Sequence, residues 1–259
     1  MTFMTGSHLK LGDIENRRVP ADEAKRIAGQ IRAYLLEEAK EKVGGSTFMR
    51  RLEAGKISKS TLQQFWLNWH SQVWDINNLI LAAYHSFTPF FKRNLDLLPL
   101  FADKVADELI QPRPPGHILV VWQQGEIFGL TREQMVHATV IPECRALMEW
   151  HRGLLHEGTM IEFWAAISYE EYTGYWSGAF GRALINRYGY KEAPYFRVHE
   201  EADLKGHDGV MGHAQFNWMV LCRMLEQGES RFRPGFSIQY CIDTELALRR
   251  NLLNACAEL

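Results

Sequence analysis

The sequence predicts an all-α protein, folded as a bundle of about seven helices. Apolar residues recur at helical spacing through most of the 259 residues, and proline or glycine clusters separate the periodic stretches. No convincing set of alternating strand patterns accompanies them. Because no Ser/Gly/Pro-rich linker divides the chain, we expect one helical domain over residues 1–259, with residues 1–18 as a flexible N-terminal segment.

The N-terminal part of the chain contains three of the predicted helices. Residues 20–43 place their apolar side chains on one stripe and end at a glycine pair. Residues 58–87 begin with a serine that can cap a helix and continue with apolar residues at helical spacing. Residues 89–110 form the next helix, which ends at Pro112 and the prolines after it because proline cannot continue a helix interior.

The remaining helices follow in the C-terminal part. Residues 117–128 are largely apolar, and Thr131, with a glutamine three positions later, has the capping-box pattern of a helix start. Long helical patterns then cover residues 160–188 and 195–225, and the last predicted helix covers about residues 242–255.

Composition excludes several classes of function. The net charge is −2 and the basic residues are scattered, so no surface for nucleic acid is indicated. No apolar run approaches the roughly 20 residues that span a bilayer, and the N-terminus has no hydrophobic signal-peptide core. The four cysteines form no CxxC pair, which is typical of reduced thiols. We therefore expect a cytoplasmic protein without nucleic acid or membrane partners.

Three polar residues share one face of the helix that is predicted over residues 195–225. Because an α-helix turns by about 100° per residue, His199, Asp203 and His207 drift by only about 80° in total. Two imidazoles beside a carboxylate suit iron, manganese or zinc. The alternative is an ordinary solvated face, to which the neighbouring Glu200 and Glu201 belong.

A carboxylate and a histidine lie on either side of the proline break. Glu108 lies on a largely apolar helix face, and His117 opens the helix that follows. The two side chains can converge on one ion. The alternatives are an ion pair between Glu108 and Lys104 and a helix-terminus contact for His117.

A third carboxylate heads a glycine stripe. Gly174, Gly178 and Gly181 follow Glu170 at helical spacing, and glycines in such a row allow another helix or a ligand to approach closely. Burial of Glu170 among aromatic residues would require a metal, an arginine or a raised pKa to compensate its charge. Glu171 points about 100° away, and we expect it to be solvated.

Together these segments offer three carboxylates and three histidines, a suitable set for two ferrous ions in a helical bundle. The predicted catalytic and metal-binding residues are Glu108, His117, Glu170, His199, Asp203 and His207. The paired Glu-x-x-His motif is absent, so this is not the ferritin arrangement.

The spaced set resembles the haem-oxygenase-like diiron oxidases, which belong to the superfamily of thiaminase II and pyrroloquinoline-quinone synthase. Glu108 and His117 match the first pair of that family in the context DEL…PPGHILVVW. SYEEYTGYWS resembles the segment of the alkene-forming fatty-acid decarboxylase that carries its glutamate, here Glu170. YFRVHEEAD is similar to the segment of the p-aminobenzoate-forming oxidase that carries its histidine and aspartate, here His199 and Asp203. The resemblance spans roughly residues 20–225.

The last histidine departs from the family pattern. The family has it three residues after the aspartate, but Gly206 occupies that position here. His207 is the nearest histidine, and a one-residue bulge at the glycine would bring it into place. His213, two turns further on, is the alternative.

The resemblance implies a haem-oxygenase-like fold, two Fe(2+) per chain and O2 as co-substrate. It implies O2-dependent oxidation of a small amino-acid- or carboxylate-type metabolite in a biosynthetic pathway, by N-oxygenation, desaturation or carbon–carbon cleavage. A homodimer is common among related folds. The alternatives are a cofactor-less oxidase, a thiaminase-like hydrolase, for which Cys144 is the candidate nucleophile, and a helical interaction protein without catalytic activity.

A carboxylate substrate would need a cationic partner. Arg152, Arg182 and Arg187 are candidates from their positions on flanking helices, although each also suits the surface. His70 and His85 lie among aromatic residues, where we expect core histidines, with substrate contact as the alternative.

Overall fold

In the computed structural model, which describes residues 9–111, 113–205 and 211–259, helices fill most of the chain. These residues form thirteen α-helices and one π-helical turn, and no strand. The predicted all-α class is therefore confirmed. The helices outnumber the predicted seven because several long patterns are divided and some short helices lie between them.

Six α-helices precede the middle of the chain: α1 (Ala21–Ala39), α2 (Thr47–Glu53), α3 (Lys59–Ser86), α4 (Thr88–Lys92), α5 (Leu98–Leu109) and α6 (His117–Ile127). A π-helical turn, Lys40–Gly44, continues α1. Seven more follow: α7 (Arg132–Val136), α8 (Pro142–His156), α9 (Met160–Ile167), α10 (Glu170–Tyr188), α11 (Pro194–Leu204), α12 (His213–Gln227) and α13 (Ile238–Ala257).

Helix α8 has no counterpart among the predicted helices. It starts at a proline in the first turn, a position where proline is tolerated because the missing N–H has no helical partner. Its buried residues include Leu147, His151 and Leu154, which are spaced as on one helix face. The helical pattern was present in the sequence, but charged residues interrupt it.

The hydrophobic core is one connected cluster that runs from Ile14 to Ala257. The described part of the N-terminal segment, residues 9–18, lies against it: the Leu9 amide donates to Gln239 Oε1 at 3.0 Å. None of the helices in the described ranges is long and apolar enough to cross a membrane.

The glycine stripe of α10 sets how closely α11 packs against it. A Cβ at Gly174 would lie 2.6 Å from Leu204 Cγ and 3.0 Å from Asp203 Cβ, and a Cβ at Gly181 would lie 3.2 Å from Phe196 Cβ. The predicted close approach of another helix to this stripe is therefore confirmed, and α11 is that helix.

A glycine also shapes the link between α5 and α6. Gly116 has a φ of 67°, which favours glycine, and an added Cβ would overlap the Glu108 carbonyl group. This close contact folds the proline-rich link back on itself. The first residue of α6, His117, is thereby brought beside the end of α5, which carries Glu108.

Candidate metal centre

Five of the six predicted site residues converge in the interior of the bundle, and His213 joins them. They come from five helices: α5, α6, α10, α11 and α12. The converging residues are Glu108, His117, Glu170, His199, Asp203 and His213. The sixth predicted residue, His207, lies outside the described residues. Among the described histidines, His213 completes the set.

His213 is the centre of the carboxylate cluster. Its Nδ1 atom lies 3.3 Å from Glu170 Oε1, 3.5 Å from Asp203 Oδ1 and 3.8 Å from Glu108 Oε1. One ligand atom each from Glu108, Glu170 and His213 lie within 4.8 Å of one another, a grouping able to hold a metal ion. One imidazole nitrogen thus faces three carboxylates, of which Glu108 and Asp203 are buried and Glu170 is partly exposed.

The other two histidines lie on the Glu108 side of the cluster. His117 Nδ1 is 3.0 Å from Glu108 Oε2, and the rings of His117 and His199 have centroids 4.9 Å apart. His199 Nδ1 donates to the Tyr195 carbonyl oxygen at 3.0 Å. Its proton is therefore on Nδ1, which leaves Nε2 with the lone pair that a metal ligand needs.

Neighbouring polar side chains hold the cluster in place. Asp107 Oδ2 accepts from His213 Nε2 at 3.2 Å, the type of carboxylate–imidazole contact that commonly orients metal-binding histidines. Lys104, whose side chain is only 3% exposed, pairs with Glu170 Oε2, to which Asn217 Nδ2 also donates at 2.7 Å. The alternative interpretation, a pair between Lys104 and Glu108, is wrong: Lys104 pairs with the carboxylate on α10 instead.

The charges of the cluster shift its pKa values in opposite directions. Burial acts to raise the pKa of Glu108, but the charges of His117 and His213 outweigh it and hold that pKa at about 2. Burial acts to lower the pKa of His213, but its bonds to carboxylates raise it well above the ordinary value. Without a metal, a protonated imidazole thus supplies positive charge that the carboxylates require.

Burial dominates at two other members of the set. It raises the pKa of Asp203 to about 7, although contact with His213 acts in the opposite direction. Burial, and then repulsion from His117, lowers the pKa of His199 to about 4. His199 is therefore neutral at pH 7, as a metal-binding imidazole must be.

The cluster contains buried polar atoms that have no hydrogen-bond partner among the described residues. They are His117 Nδ1, Asp203 Oδ2 and His213 Nδ1. The two imidazole nitrogens contact carboxylates only as ion pairs, and buried polar atoms normally have a well-aligned hydrogen bond, so these atoms point to an additional group in the cluster. Because carboxylates and imidazoles together suit iron, manganese or zinc, the residues present fit a metal.

Glu171 differs from the expectation of a solvated side chain. Its side chain is 2% exposed and accepts a two-pronged ion pair from Arg32, with distances of 2.6 and 2.8 Å. Trp218 Nε1 also donates to it at 2.6 Å. The prediction was wrong because the side of α10 that carries Glu171 packs against α1 and α12 rather than facing water.

A cavity of about 80 Å³ adjoins the cluster. Most of its wall is apolar, and Glu108, Glu170, His199 and Asp203 form one end of it. Its apolar and aromatic lining consists of Trp69, Val73, Ile76, Ile80, Ile167, Tyr169 and Tyr195. A small, largely apolar molecule in this space would be in contact with the candidate metal centre.

None of the arginines proposed as substrate partners lines this cavity. Arg152 pairs with Asp75 and Glu149, and Arg182 pairs with Glu200 at the surface. His70 is also outside the cavity wall, where its Nε2 accepts from Trp122 Nε1 at 3.2 Å.

The arginine that does line the cavity is Arg249 on α13, which sequence reasoning missed. A signal existed: Arg249 follows Glu245 by one helical turn on a helix with otherwise apolar buried residues. Charged residues on a buried helix face require polar partners, so this pair indicates a polar site in the interior.

Comparison with known proteins adds the fold family. No family model matches the sequence, and no curated protein matches it either. The crystal structure of a TenA homolog from Pseudomonas syringae pv. tomato str. DC3000 has a TM-score of 0.66 and 18% identity, and covers 94% of this chain and 98% of that one. A TenA family transcription regulator from Silicibacter sp. TM1040 has a TM-score of 0.58 and 12% identity, with coverage of 89% and 96%. The chain therefore has the all-α fold of these TenA proteins.

Proposed function

We propose that this protein is a non-haem diiron oxidase or oxygenase that uses O2 to oxidise a small amino-acid- or carboxylate-type metabolite. One observation carries the proposal: His213 Nδ1 faces three carboxylates at ion-pair distances of 3.3–3.8 Å and forms no well-aligned hydrogen bond to any described residue. These distances are longer than those of an ordinary N–H···O hydrogen bond, and a metal ion held between the imidazole and the carboxylates would satisfy all four side chains.

Six residues would hold the metal: Glu108, His117, Glu170, His199, Asp203 and His213. Ferrous ions bound by this set would supply the electrons and the open coordination positions that O2 chemistry requires. The chain itself fixes the ligands before a metal arrives. Asp107 orients the His213 ring, and the Tyr195 carbonyl orients that of His199.

The cavity beside the cluster would bind the substrate. Its apolar wall excludes water from the reacting end of a bound molecule, and its volume of about 80 Å³ suits a small metabolite. Lys104, held against Glu170, keeps a positive charge at the boundary between the cavity and the cluster. These features support a small substrate with an apolar part.

The second candidate is a thiaminase-like hydrolase, which the TenA fold of the neighbours favours. Such chemistry needs a nucleophilic cysteine beside the substrate. All four cysteines lie in the described ranges, and none of them lines the cavity. Cys144 is buried against Met148, and burial raises the pKa of its thiol to about 12, which suppresses the reactive thiolate.

Metal counting separates the candidates. The apo-protein, titrated with ferrous iron without oxygen, should bind two ions and then consume O2. Asp203→Asn should lower the iron count, whereas Glu200→Gln on the same helix, whose partner Arg182 is at the surface, should not.

Failure of the wild-type protein to bind more than stray metal would overturn the diiron proposal. A hydrolase would show the opposite dependence: Cys144→Ser would abolish its activity and chelators would leave it unchanged. O2 consumption by the metal-free protein would indicate a cofactor-less oxidase.

A further inference from the structure

The cavity beside the candidate metal centre is also lined by an arginine that is mostly shielded from solvent. Arg249 on α13 has a side chain that is 11% exposed and lines the cavity together with His151 and Tyr169. Its guanidinium carbon lies 4.1 Å from the centroid of the Tyr169 ring, which is stacking distance. A fixed positive charge therefore faces a space whose wall is otherwise mostly apolar.

Only one edge of this guanidinium group is occupied. Nε donates to Glu245 Oε1 at 2.6 Å, while the two terminal nitrogens make no hydrogen bond to any described residue. Neither terminal nitrogen is among the fully buried unpartnered atoms, so both keep some accessible surface on a residue that lines the cavity. Two N–H groups of a guanidinium in this state match the two oxygens of a carboxylate.

Glu245 holds the arginine without consuming its whole binding capacity. Its carboxylate also accepts from His151 Nε2 at 2.9 Å and from Trp150 Nε1 at 3.1 Å. Glu245 is therefore shared among three donors, and its contact with Arg249 fixes the orientation of the fork. An arginine that is fixed in this way loses little conformational entropy when it binds an anion.

The rest of the cavity defines what such an anion carries. Besides Arg249 and the carboxylate cluster, the wall includes the aliphatic residues Val73, Ile76, Ile80 and Ile167. Tyr169, which stacks on Arg249, directly precedes Glu170 of the carboxylate cluster. Two adjacent residues therefore contact the arginine and the candidate metal centre. A molecule that spans the cavity has an acidic end, a short apolar body and a far end beside the metal ligands.

We propose that Arg249 binds the carboxylate of the substrate through its two terminal nitrogens and so directs the opposite end of the molecule to the candidate metal centre. The substrate class is a small carboxylate with a short apolar body. The fate of that molecule depends on the function proposed above, but its binding to Arg249 is a property of the metal-free chain.

The test uses butanoate, with butanamide as a neutral probe of the same shape, and calorimetric titration of the metal-free protein. Wild type should bind butanoate more tightly than butanamide. Arg249→Gln should weaken butanoate binding by about ten- to hundredfold, the effect of losing hydrogen bonds to a charged group, and leave butanamide binding unchanged. Arg250→Gln, at the exposed neighbouring position, should bind both probes as wild type does.

Butanoate affinity that is unchanged in Arg249→Gln, or a wild type that does not distinguish the two probes, would overturn the proposal. If Arg249→Gln does not fold, a crystal structure of the wild type with butanoate decides. Carboxylate oxygens about 3 Å from the terminal nitrogens of Arg249 support the proposal, and a carboxylate at Lys104 instead contradicts it.

Iron counting on the same variant keeps the two proposals separate. Arg249→Gln should retain the wild-type iron count, because Arg249 is not a metal ligand. A wild type without iron but with Arg249-dependent butanoate binding would reject the diiron function and keep the carboxylate site. A wild type that binds two irons but shows no Arg249-dependent butanoate binding would keep the diiron function and reject the carboxylate site.

Discussion

Two polar clusters, one at each of two places in the cavity wall that we call its ends, combine carboxylates and donors in opposite proportions. At the candidate metal centre three carboxylates surround one imidazole nitrogen, at 3.3–3.8 Å from His213 Nδ1. At the other end one carboxylate, Glu245, is surrounded by three donors from Trp150, His151 and Arg249. One end has an excess of negative groups, and the other is balanced.

This difference supports the proposal that the first cluster, and not the second, binds an additional ion. Burial acts to raise the pKa of Glu245, but His151 and Arg249 outweigh it and hold that pKa at about 2. The Glu245 group is therefore complete without any ligand on its carboxylate. At the opposite end, Asp203 Oδ2 and His213 Nδ1 stay without a hydrogen bond within the described part of the chain. The two clusters are distinguished less by their residue types than by whether each polar atom has a hydrogen-bond partner.

The largest expected effect is on metal binding, and it tests which histidine completes the set. His213→Ala should remove at least one of the two irons, because the atom that faces all three carboxylates is lost. We expect metal affinity to fall by more than about a hundredfold, since loss of a supporting residue alone costs about 10- to 100-fold. His207→Ala should retain both irons. Iron counting after anaerobic loading measures both variants, and the reverse result would assign the ligand to His207.

Lys104 offers the next test, because it supplies positive charge to the end that lacks it. Without metal, Lys104→Met should reduce the free energy of unfolding by about 3 kcal/mol, since Glu170 would lose its buried partner. Ferrous iron should restore much of that loss by supplying the missing charge. Urea unfolding with a chelator and with iron gives both values. An equal loss of unfolding free energy with chelator and with iron would contradict the inferred shortage of positive charge at the candidate metal centre.

The balanced end should respond differently to the same treatment. Glu245→Gln should destabilise the protein by about 2–3 kcal/mol, because it removes the negative partner of Arg249 and His151. The stabilisation gained from iron should equal that of the wild type, in contrast to Lys104→Met. Unfolding in urea with and without iron measures it. A changed response to iron would mean that the two ends are coupled electrostatically.

The smallest effect concerns His70, a buried histidine outside the cavity that provides a reference for pH dependence. Burial lowers the pKa of His70 from 6.5 to about 4, and its Nε2 already accepts a bond from Trp122. Between these pH values the unfolded chain holds a proton that the folded protein does not, so stability falls as pH decreases from about 6.5 to 4.

His70→Gln should abolish that contribution, about 1–2 kcal/mol between pH 7 and pH 5, as urea unfolding at the two pH values would measure. A pH dependence equal to that of the wild type would show that His70 does not contribute to it.

Local patterns in the sequence predicted much of the fold and most of the site. The capping box at Thr131 is present with both of its hydrogen bonds. Glu108 and His117 meet as predicted from the proline break between them. These features depend on spacing along the chain, which helix geometry converts directly into position.

The missed features depend on contacts between distant segments. Glu171 is buried because Arg32, 139 residues away, lies opposite it. Arg249 lines the cavity because α13 packs beside it, far along the chain from the other lining residues. His213 was ranked second because counting residues from Asp203 favoured His207, whereas the start of a separate helix brings His213 to the cluster. Spacing within one helix contains no information of this kind.

Gly174 has no side chain, and this allows α10 and α11, the two helices that carry Glu170 and Asp203, to pack closely at this position. Because a Cβ there would press on Asp203 and Leu204, the absence of a side chain determines how far Asp203 on α11 lies from Glu170 on α10. A metal ion accepts ligands only within a few tenths of an ångström of its preferred bond length. In the proposed metal centre, the identity of the ions and the distance between them would thus depend on a residue that is not itself a ligand. A larger residue at position 174 would be expected to change which metals the proposed site accepts, although every candidate ligand would keep its identity.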